Sequence, residues 1–482
     1  MNYYKFFLLI VFLIPLFVLA ASTQRLPDIG DSAGSTISPE FERRLGQGVM
    51  RQVYQYAPII LDPEVEAYIQ SIGYKLVANS DDNQLPFIFF MTNNTEINAF
   101  AAPGGVVGIN SGVLLNSRTE SELAGVMAHE ISHVTQRHMA RTFEKASQLS
   151  LPVAAAIIGA IMVGIANPEA GQAALALATG LNAQYQINFT RANEEEADRI
   201  GMQLLARSGF DPQGMPGFFE RLQQASKFYG RPPEFLSTHP LTSTRIAEAK
   251  DRADTYPASE YTDSEKYGLV RAKLFVLAQE FPKDAVKFFE ERLNAEDLQD
   301  EDRTSVRYGY ALALTETGNY HKAREQIKIL LNEDSENVTY LLAAARLESA
   351  QKNYAAALGI YRESSKLYPE YRPLVLGYAK TLLDAKQPAE ARDILRNYGR
   401  YHEPDLTFYN LLAQAEAQSG SPVESGIAKA EYYYLSGDTK LAIDRLKYAL
   451  SQQKLDYYQK ERISARQAQL EYELELEEQL EL

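Results

Sequence analysis

The sequence predicts an α+β protein, mostly helical, in which a mixed region with a small β-sheet is followed by an α-solenoid. Three observations predict it. An apolar helical pattern surrounds His129-Glu130-Ile131-Ser132-His133 and marks a buried helix. Short apolar stretches, Pro86 to Met91 and Val106 to Ile109, flank the turn-rich segment Asn98 to Gly105 and read as strands. From about Ser264 onward, alanines recur every 34 residues.

At the start, Met1-Asn2-Tyr3-Tyr4-Lys5 precedes an apolar run from Phe6 to Leu19, interrupted by Pro15, and Ala20-Ala21-Ser22 follows. A weakly basic start, a short hydrophobic run and small residues predict a secretory signal peptide over residues 1–21, cleaved near Ala20 or Ala21. An uncleaved anchor is the alternative, but the run falls short of the ~20 residues that span a bilayer. The chain has no cysteine, which excludes disulfides, a zinc-thiolate site, a cysteine nucleophile and a lipid-modified N-terminal cysteine. A formal charge of −15 argues against nucleic acid or anionic lipid as a primary partner.

Residues 40–256 form the expected first domain. Its helix carries the chemistry. Thr119 followed by Glu122 reads as a capping box, and Leu123, Val126, Met127, Ile131 and Val134 supply the buried stripe. His129 and His133, four apart, project from one face and can reach a single metal ion. Glu130 lies about 100° further round, facing the attacking water rather than the metal, as a general base should. The spacing is that of a zinc hydrolase.

A tetrahedral catalytic zinc needs a third protein ligand. Glu194, Glu195 and Glu196 are the candidates, and Glu194 has an acidic partner four residues on, Asp198. A carboxylate at Asp198 can accept the second ring N–H of a zinc-bound histidine, which assigns Glu194 to the metal and Asp198 to its support. Glu195 and Glu196 are expected to be solvated. His138 is about 140° round an unbroken helix from His133 and is not expected to bind the metal.

A glycine-rich turn feeding a strand just ahead of this helix suggests an exposed sheet edge, where an extended peptide could pair through its backbone. A simple structural hairpin reads equally well. The apolar segment Leu149 to Ala166 is too short and too rich in alanine and glycine for a membrane span. A buried helix or hairpin is expected there, with a membrane-leaning flap or active-site lid as the lesser reading.

Residues 264–482 form the expected repeat domain. Ala311, Ala345, Ala379 and Ala413 keep the 34-residue interval, as do Ala323, Ala357, Ala391 and Ser425. Tyr320, Tyr354, Pro388 and Pro422 follow the turn-like pairs Gly318-Asn319, Lys352-Asn353, Lys386-Gln387 and Gly420-Ser421. This is the tetratricopeptide signature, stacked helical hairpins with small residues at the crossings. A degenerate unit around Leu269 to Leu293 fits a cap, and Ala430 with Ala442 predicts a further hairpin through Gly437-Asp438. The solenoid's concave face suits peptides or partner proteins. His321 and His402, without acidic or histidine company at ligand spacing, read as surface or packing residues.

With these motifs in hand, the chain resembles the periplasmic zinc metallopeptidases related to HtpX and the CAAX-processing proteases, over nearly its whole length. The specific signal is the combination of His129 to His133, Glu194 to Asp198, Ser237-Thr238-His239-Pro240-Leu241-Thr242-Ser243-Thr244-Arg245 and the repeats. The resemblance implies a zincin-like domain and one Zn2+ per chain, held by His129, His133 and Glu194, with Glu130 activating water. It implies that His239 can approach the zinc and hold the enzyme latent. Spacing alone leaves His239 as a fourth ligand, an oxyanion stabiliser or a brace of the fold, with Arg245 a nearby polar contact.

The resemblance further implies a protease, and a chaperone through its repeats, in the periplasm of a Gram-negative bacterium. There it would promote assembly of outer-membrane β-barrel proteins and degrade those that stall. The repeats would contact the barrel-assembly machinery or the client. Two other classes compete: a non-catalytic scaffold with a blocked zinc site, and a zinc hydrolase of cell-wall material.

Overall fold

The computed structural model describes residues 39–82, 85–141, 183–228, 233, 235–452 and 455–479. The expected signal peptide and the apolar segment from Leu149 to Ala166 lie outside the described residues.

Two helices come first, α1 (Pro39–Tyr56) and α2 (Pro63–Ala78). Asp62 caps α2 by accepting from the amides of Glu64 and Val65, and Pro63 takes the first position, where no N–H is needed. Strands β1 (Ile88–Thr92), β2 (Ala99–Ala102) and β3 (Val106–Asn110) then form a sheet of order β1-β3-β2. β1 runs parallel to β3 and β2 antiparallel to it. The turn into β3 demands glycine: Gly105 has φ +78, and a Cβ there would lie 1.9 Å from the Pro86 carbonyl oxygen.

One expectation is corrected here. The strand fed by this turn, β3, is not the edge but the centre of the sheet, buried at every residue, as suits a strand covered on both faces. The outer strands are β1 and β2, and β2, built from the turn-rich segment itself, packs against the helix that carries the histidines.

That helix, α4 (Glu120–Thr135), follows the short α3 (Ser111–Asn116). Thr119 caps it by accepting from the Glu122 amide at 3.2 Å. The capping box closes one residue early, because the Glu122 carboxylate accepts from the Arg118 N–H at 2.7 Å and is gripped by the guanidinium of Arg221. Then come α5 (Ala183–Arg207), α6 (Gly214–Phe228), α7 (Phe235–Thr238) and α8 (Ser243–Ala253). Gly201 lets α5 approach α4 closely, since a Cβ there would meet the Ala128 carbonyl and the His129 nitrogen at 3.1 Å. Leu123, Met127 and Ile131 of α4 join Met202, Leu205, Phe218, Phe89 and Ile109 in one core.

The repeats form the hairpins α9 (Glu265–Ala278) with α10 (Pro282–Leu293), α11 (Asp300–Glu316) with α12 (Tyr320–Glu333), and α13 (Val338–Ala350) with α14 (Tyr354–Leu367). After them come α15 (Arg372–Asp384) with α16 (Pro388–Tyr398), α17 (Leu406–Gln418) with α18 (Pro422–Leu435), and α19 (Thr439–Leu450) with α20 (Tyr457–Gln479). The periodic alanines are buried at the crossings, and the Ser425 hydroxyl donates to the Ala413 carbonyl across one of them at 2.8 Å. The hairpin turns at Gly318, Lys352, Lys386 and Gly420 all have positive φ, two of them without glycine's freedom. Ala430 and Ala442 join α18 to α19, so α18 is second helix to α17 and first helix to α19.

The solenoid wraps the first part of the chain. α9 shares its faces between two cores: Tyr267, Val270 and Leu274 pack with the catalytic region, Leu269, Ala272 and Val276 with the repeats. α15 packs on α2, and α18 on α1, where Arg51 donates to the Tyr434 hydroxyl. Lys273 of α9 is buried between Asp62 and Glu64, and Arg372 of α15 bridges Glu66 and Asp405 at 2.7 and 2.6 Å. Part of the repeat surface is thus covered by α1 and α2 of the same chain, held there by complementary charges and apolar packing.

Candidate metal centre

Helical geometry puts His129 and His133 on one face of α4, with their Nε2 atoms 3.0 Å apart. Glu194 reaches them from α5: Oε2 lies 3.3 Å from His129 Nε2 and Oε1 lies 3.5 Å from His133 Nε2. His239 arrives from the far side of the sequence, with Nδ1 3.3 Å from His129 Nε2 and 3.0 Å from Glu194 Oε1. One donor atom from each of these four residues lies within 4.8 Å of every other. Spacing alone could not bring His239 here. The short α7 does so: the His239 amide that follows it donates to the Phe235 carbonyl at 2.8 Å, and the His239 ring stacks on Phe235 at 4.6 Å between centroids.

The other nitrogen of His129 faces a carboxylate. His129 Nδ1 lies 3.0 Å from Asp198 Oδ1. Asp198 is in turn clamped by Arg245, whose Nε donates to Oδ2 at 2.7 Å and Nη2 to Oδ1 at 2.9 Å. Arg245 Nη1 donates to the Pro240 carbonyl and lies 3.1 Å from Glu194 Oε2. Arg245 ties the backbone beside the His239 ring to Glu194 and Asp198 of α5.

Glu130 is wholly buried, and neither carboxylate oxygen has a hydrogen-bond partner. The His239 ring stands close by, with Nε2 3.4 Å from Oε1. Burial pushes the Glu130 carboxyl above its ordinary value, against the pull of His239 and His129. Glu194 behaves oppositely: burial would raise it, but His239, His129 and His133 together hold it well below the carboxylate range. Burial would lower His129, yet Asp198 and Glu194 push it up to about 10, while burial drives His133 well below the usual histidine value.

Three imidazole nitrogens and one carboxylate oxygen are donors that zinc takes. Their convergence, with bare carboxylate oxygens alongside, fits such an ion and has no other evident use inside a folded core.

His138 stays outside the group of four donors, as expected, but stands elsewhere than expected, and the expectation for Glu196 needs correction. His138 was placed by a helical wheel, but α4 ends at Thr135 and Arg137 adopts the left-handed conformation at φ 54°. The chain turns back there, and the buried His138 ring meets His133, Nδ1 to Nδ1, at 2.9 Å. Glu196 is not simply solvated: its Oε2 lies 3.2 Å from His138 Nε2 and accepts from Arg141 Nη1 at 2.9 Å. Glu195 is exposed, as expected. No local signal marked the helix end, because neither glycine nor proline stands at Gln136 or Arg137. His321 is exposed on α12 but, against expectation, has an acidic neighbour four residues on, its Nδ1 lying 3.5 Å from Glu325 Oε1; His402 stacks on Tyr398 at 4.2 Å.

Comparison with known proteins agrees with this geometry. Residues 63–253 match the model of peptidase family M48, and residues 349–415 match a tetratricopeptide-repeat model. The chain is 39% identical over 459 residues to the β-barrel assembly-enhancing protease of Escherichia coli (strain K12), covering 94% of this chain and 92% of that one. The protein of the same name from Yersinia pestis is 36% identical over 92% of this chain and 91% of its own length. Mitochondrial metalloendopeptidase OMA1 of Schizosaccharomyces pombe is 30% identical over 220 residues, 45% of this chain and 62% of that one.

Fold and site thus define a zinc metalloendopeptidase joined to a tetratricopeptide solenoid. Among such enzymes, the chain belongs to the β-barrel assembly-enhancing protease family.

Proposed function

We propose that this enzyme cleaves unfolded or misassembled outer-membrane β-barrel proteins in the periplasm, after removal of a signal peptide over residues 1–21. Residues 40–256 are its peptidase part and residues 264–482 its repeat part, which meets the client or the barrel-assembly machinery and lends a chaperone role. The carrying observation is Glu130: a buried, unpartnered carboxylate beside four converging donor atoms.

His129, His133 and Glu194 hold the metal, Asp198 orients His129, and His239 is a fourth donor in a latent state. When bound, zinc supplies a Lewis acid that polarises a carbonyl and acidifies water. Glu130 takes a proton from water and delivers it to the departing amine. Its raised carboxyl suits both acts, and no hydrogen bond has to break first. His239, against both Glu130 and Glu194, would have to withdraw for substrate to enter. The outer strand β2, packed on α4, supports an extended peptide laid along it by backbone hydrogen bonds.

Glu130→Gln tests this reading. The variant should retain one zinc per chain by elemental analysis and lose cleavage of an unfolded outer-membrane client by about 10²- to 10⁴-fold. Undiminished cleavage would remove Glu130 from its role. Incubation of the zinc-loaded protein with denatured casein and with peptidoglycan fragments separates a peptidase from a cell-wall hydrolase.

A further inference from the structure

We infer that His138 is a positioning residue for the metal site, the middle member of a carboxylate–imidazole–imidazole chain that fixes how His133 presents itself. The inference rests on the metal reading of His129, His133 and Glu194 and extends it outward. His133 Nε2 faces the converging donors, so in a metal-binding ring that nitrogen is bare and Nδ1 carries the proton. The ring atom 2.9 Å from this Nδ1 is His138 Nδ1. Two N–H groups cannot point at each other, so His138 accepts at Nδ1 and bears its own proton on Nε2. There, 3.2 Å away, the Glu196 carboxylate accepts it, and Arg141 Nη1 holds the same oxygen at 2.9 Å. Every ring nitrogen in the chain then has one compatible partner.

The backbone is bent to make this contact. In an unbroken helix His138 would stand about 140° away from His133. The left-handed conformation of Arg137, which a side chain bearing a Cβ rarely adopts, swings it back. Such a conformation persists where surroundings enforce it, and here it delivers an imidazole to the rear of a ligand. The arrangement parallels the other metal-facing ring, where Asp198 meets His129 Nδ1 directly. At His133 the imidazole of His138 stands between the ring and the Glu196 carboxylate.

The test compares full-length parent, His138→Phe, His138→Gln and Glu196→Ala, with His321→Phe as an exposed control. Zinc affinity is measured by competition with a chromogenic chelator, and melting of the zinc-free forms is followed in parallel. His138→Phe should bind zinc about 10- to 100-fold more weakly, and His138→Gln, whose amide can both accept and donate, should recover most of the loss. In spectra of protein carrying ¹⁵N-labelled histidine, the zinc-loaded parent should show His133 protonated at Nδ1, and His138→Phe should lose that protected signal. A bracing role alone would lower the melting temperature and leave zinc affinity untouched. Affinity within twofold of the parent, in both His138→Phe and Glu196→Ala, overturns the inference. If His138→Phe fails to fold, Glu196→Ala decides: a loss of at least about threefold supports the chain, and none rejects it. If the parent itself binds no zinc, the metal reading fails instead.

Discussion

Arg245 illustrates how much one side chain can organise. Its guanidinium is nearly fully buried and engages Asp198 through two parallel bonds, the Pro240 carbonyl through a third and Glu194 through its charge. A lysine keeps the charge but not the fork. Arg245→Lys should cost about 1.5–3 kcal/mol in chemical denaturation, the worth of charge-assisted bonds lost from a buried group. It should also weaken zinc binding about 10-fold or more, because Asp198 and His239 lose their common tether. Unchanged zinc affinity would mean that Asp198 keeps its orientation without the clamp. At this scale the sequence was legible where the helical period applies: His129, Glu130, His133, Glu194 and Asp198 all fall where a 3.6-residue repeat puts them. It was not legible at Arg245, whose partners lie 47 and 51 positions away, nor at His138, because the break at Arg137 left no mark.

The crossing of α4 and α5 is the element on which the site depends. Two helices carry three of the four donors, and their close approach is permitted by Gly201 against the backbone of Ala128 and His129. Gly201→Leu places a side chain where a Cβ already lies 3.1 Å from the α4 backbone. The helices must separate, so Glu194 should retreat from both histidines. The expected outcome is a loss of about 1–3 kcal/mol in stability together with weaker zinc binding in a chelator competition. Equal zinc affinity would show that the crossing has slack. The sheet teaches a related lesson. Local composition made Val106 to Ile109 look like a strand but could not say which strand lies outside, since edge and centre differ by neighbours rather than by residue type. The repeats were readable almost helix by helix, because each hairpin packs on the next and repeats its small residues at the contacts.

Across the molecule, the solenoid is docked on the peptidase by α9, α15 and α18, and buried ion pairs sit in that junction. Glu66 is its pH-sensitive member. Burial raises its carboxyl from 4.5 to about 7, with Asp405 and Asp62 adding to the rise and Arg372 opposing it. A raised folded value means that the folded chain binds the extra proton. Its stabilising effect is therefore complete below the unfolded value and fades as the pH climbs from about 4.5 through 7. Thermal denaturation across that window should show a decline on the order of 2–3 kcal/mol that Glu66→Gln removes. An identical pH profile in the variant would show that Glu66 stays ionised beside Arg372.

Periodicity determined much of this protein before any folding was considered: a zinc-binding helix, an acidic partner helix, and a run of helical hairpins with the histidines at set spacing. These features depend on residues a few positions apart, so a linear text can carry them. Tertiary structure alone decided that His239 reaches the donors, that His138 backs His133, that β3 lies at the centre of the sheet, and that α1 and α2 pack on the repeats. Each of those contacts joins segments whose separation along the chain bears no relation to their distance in space, and packing rather than period selects them.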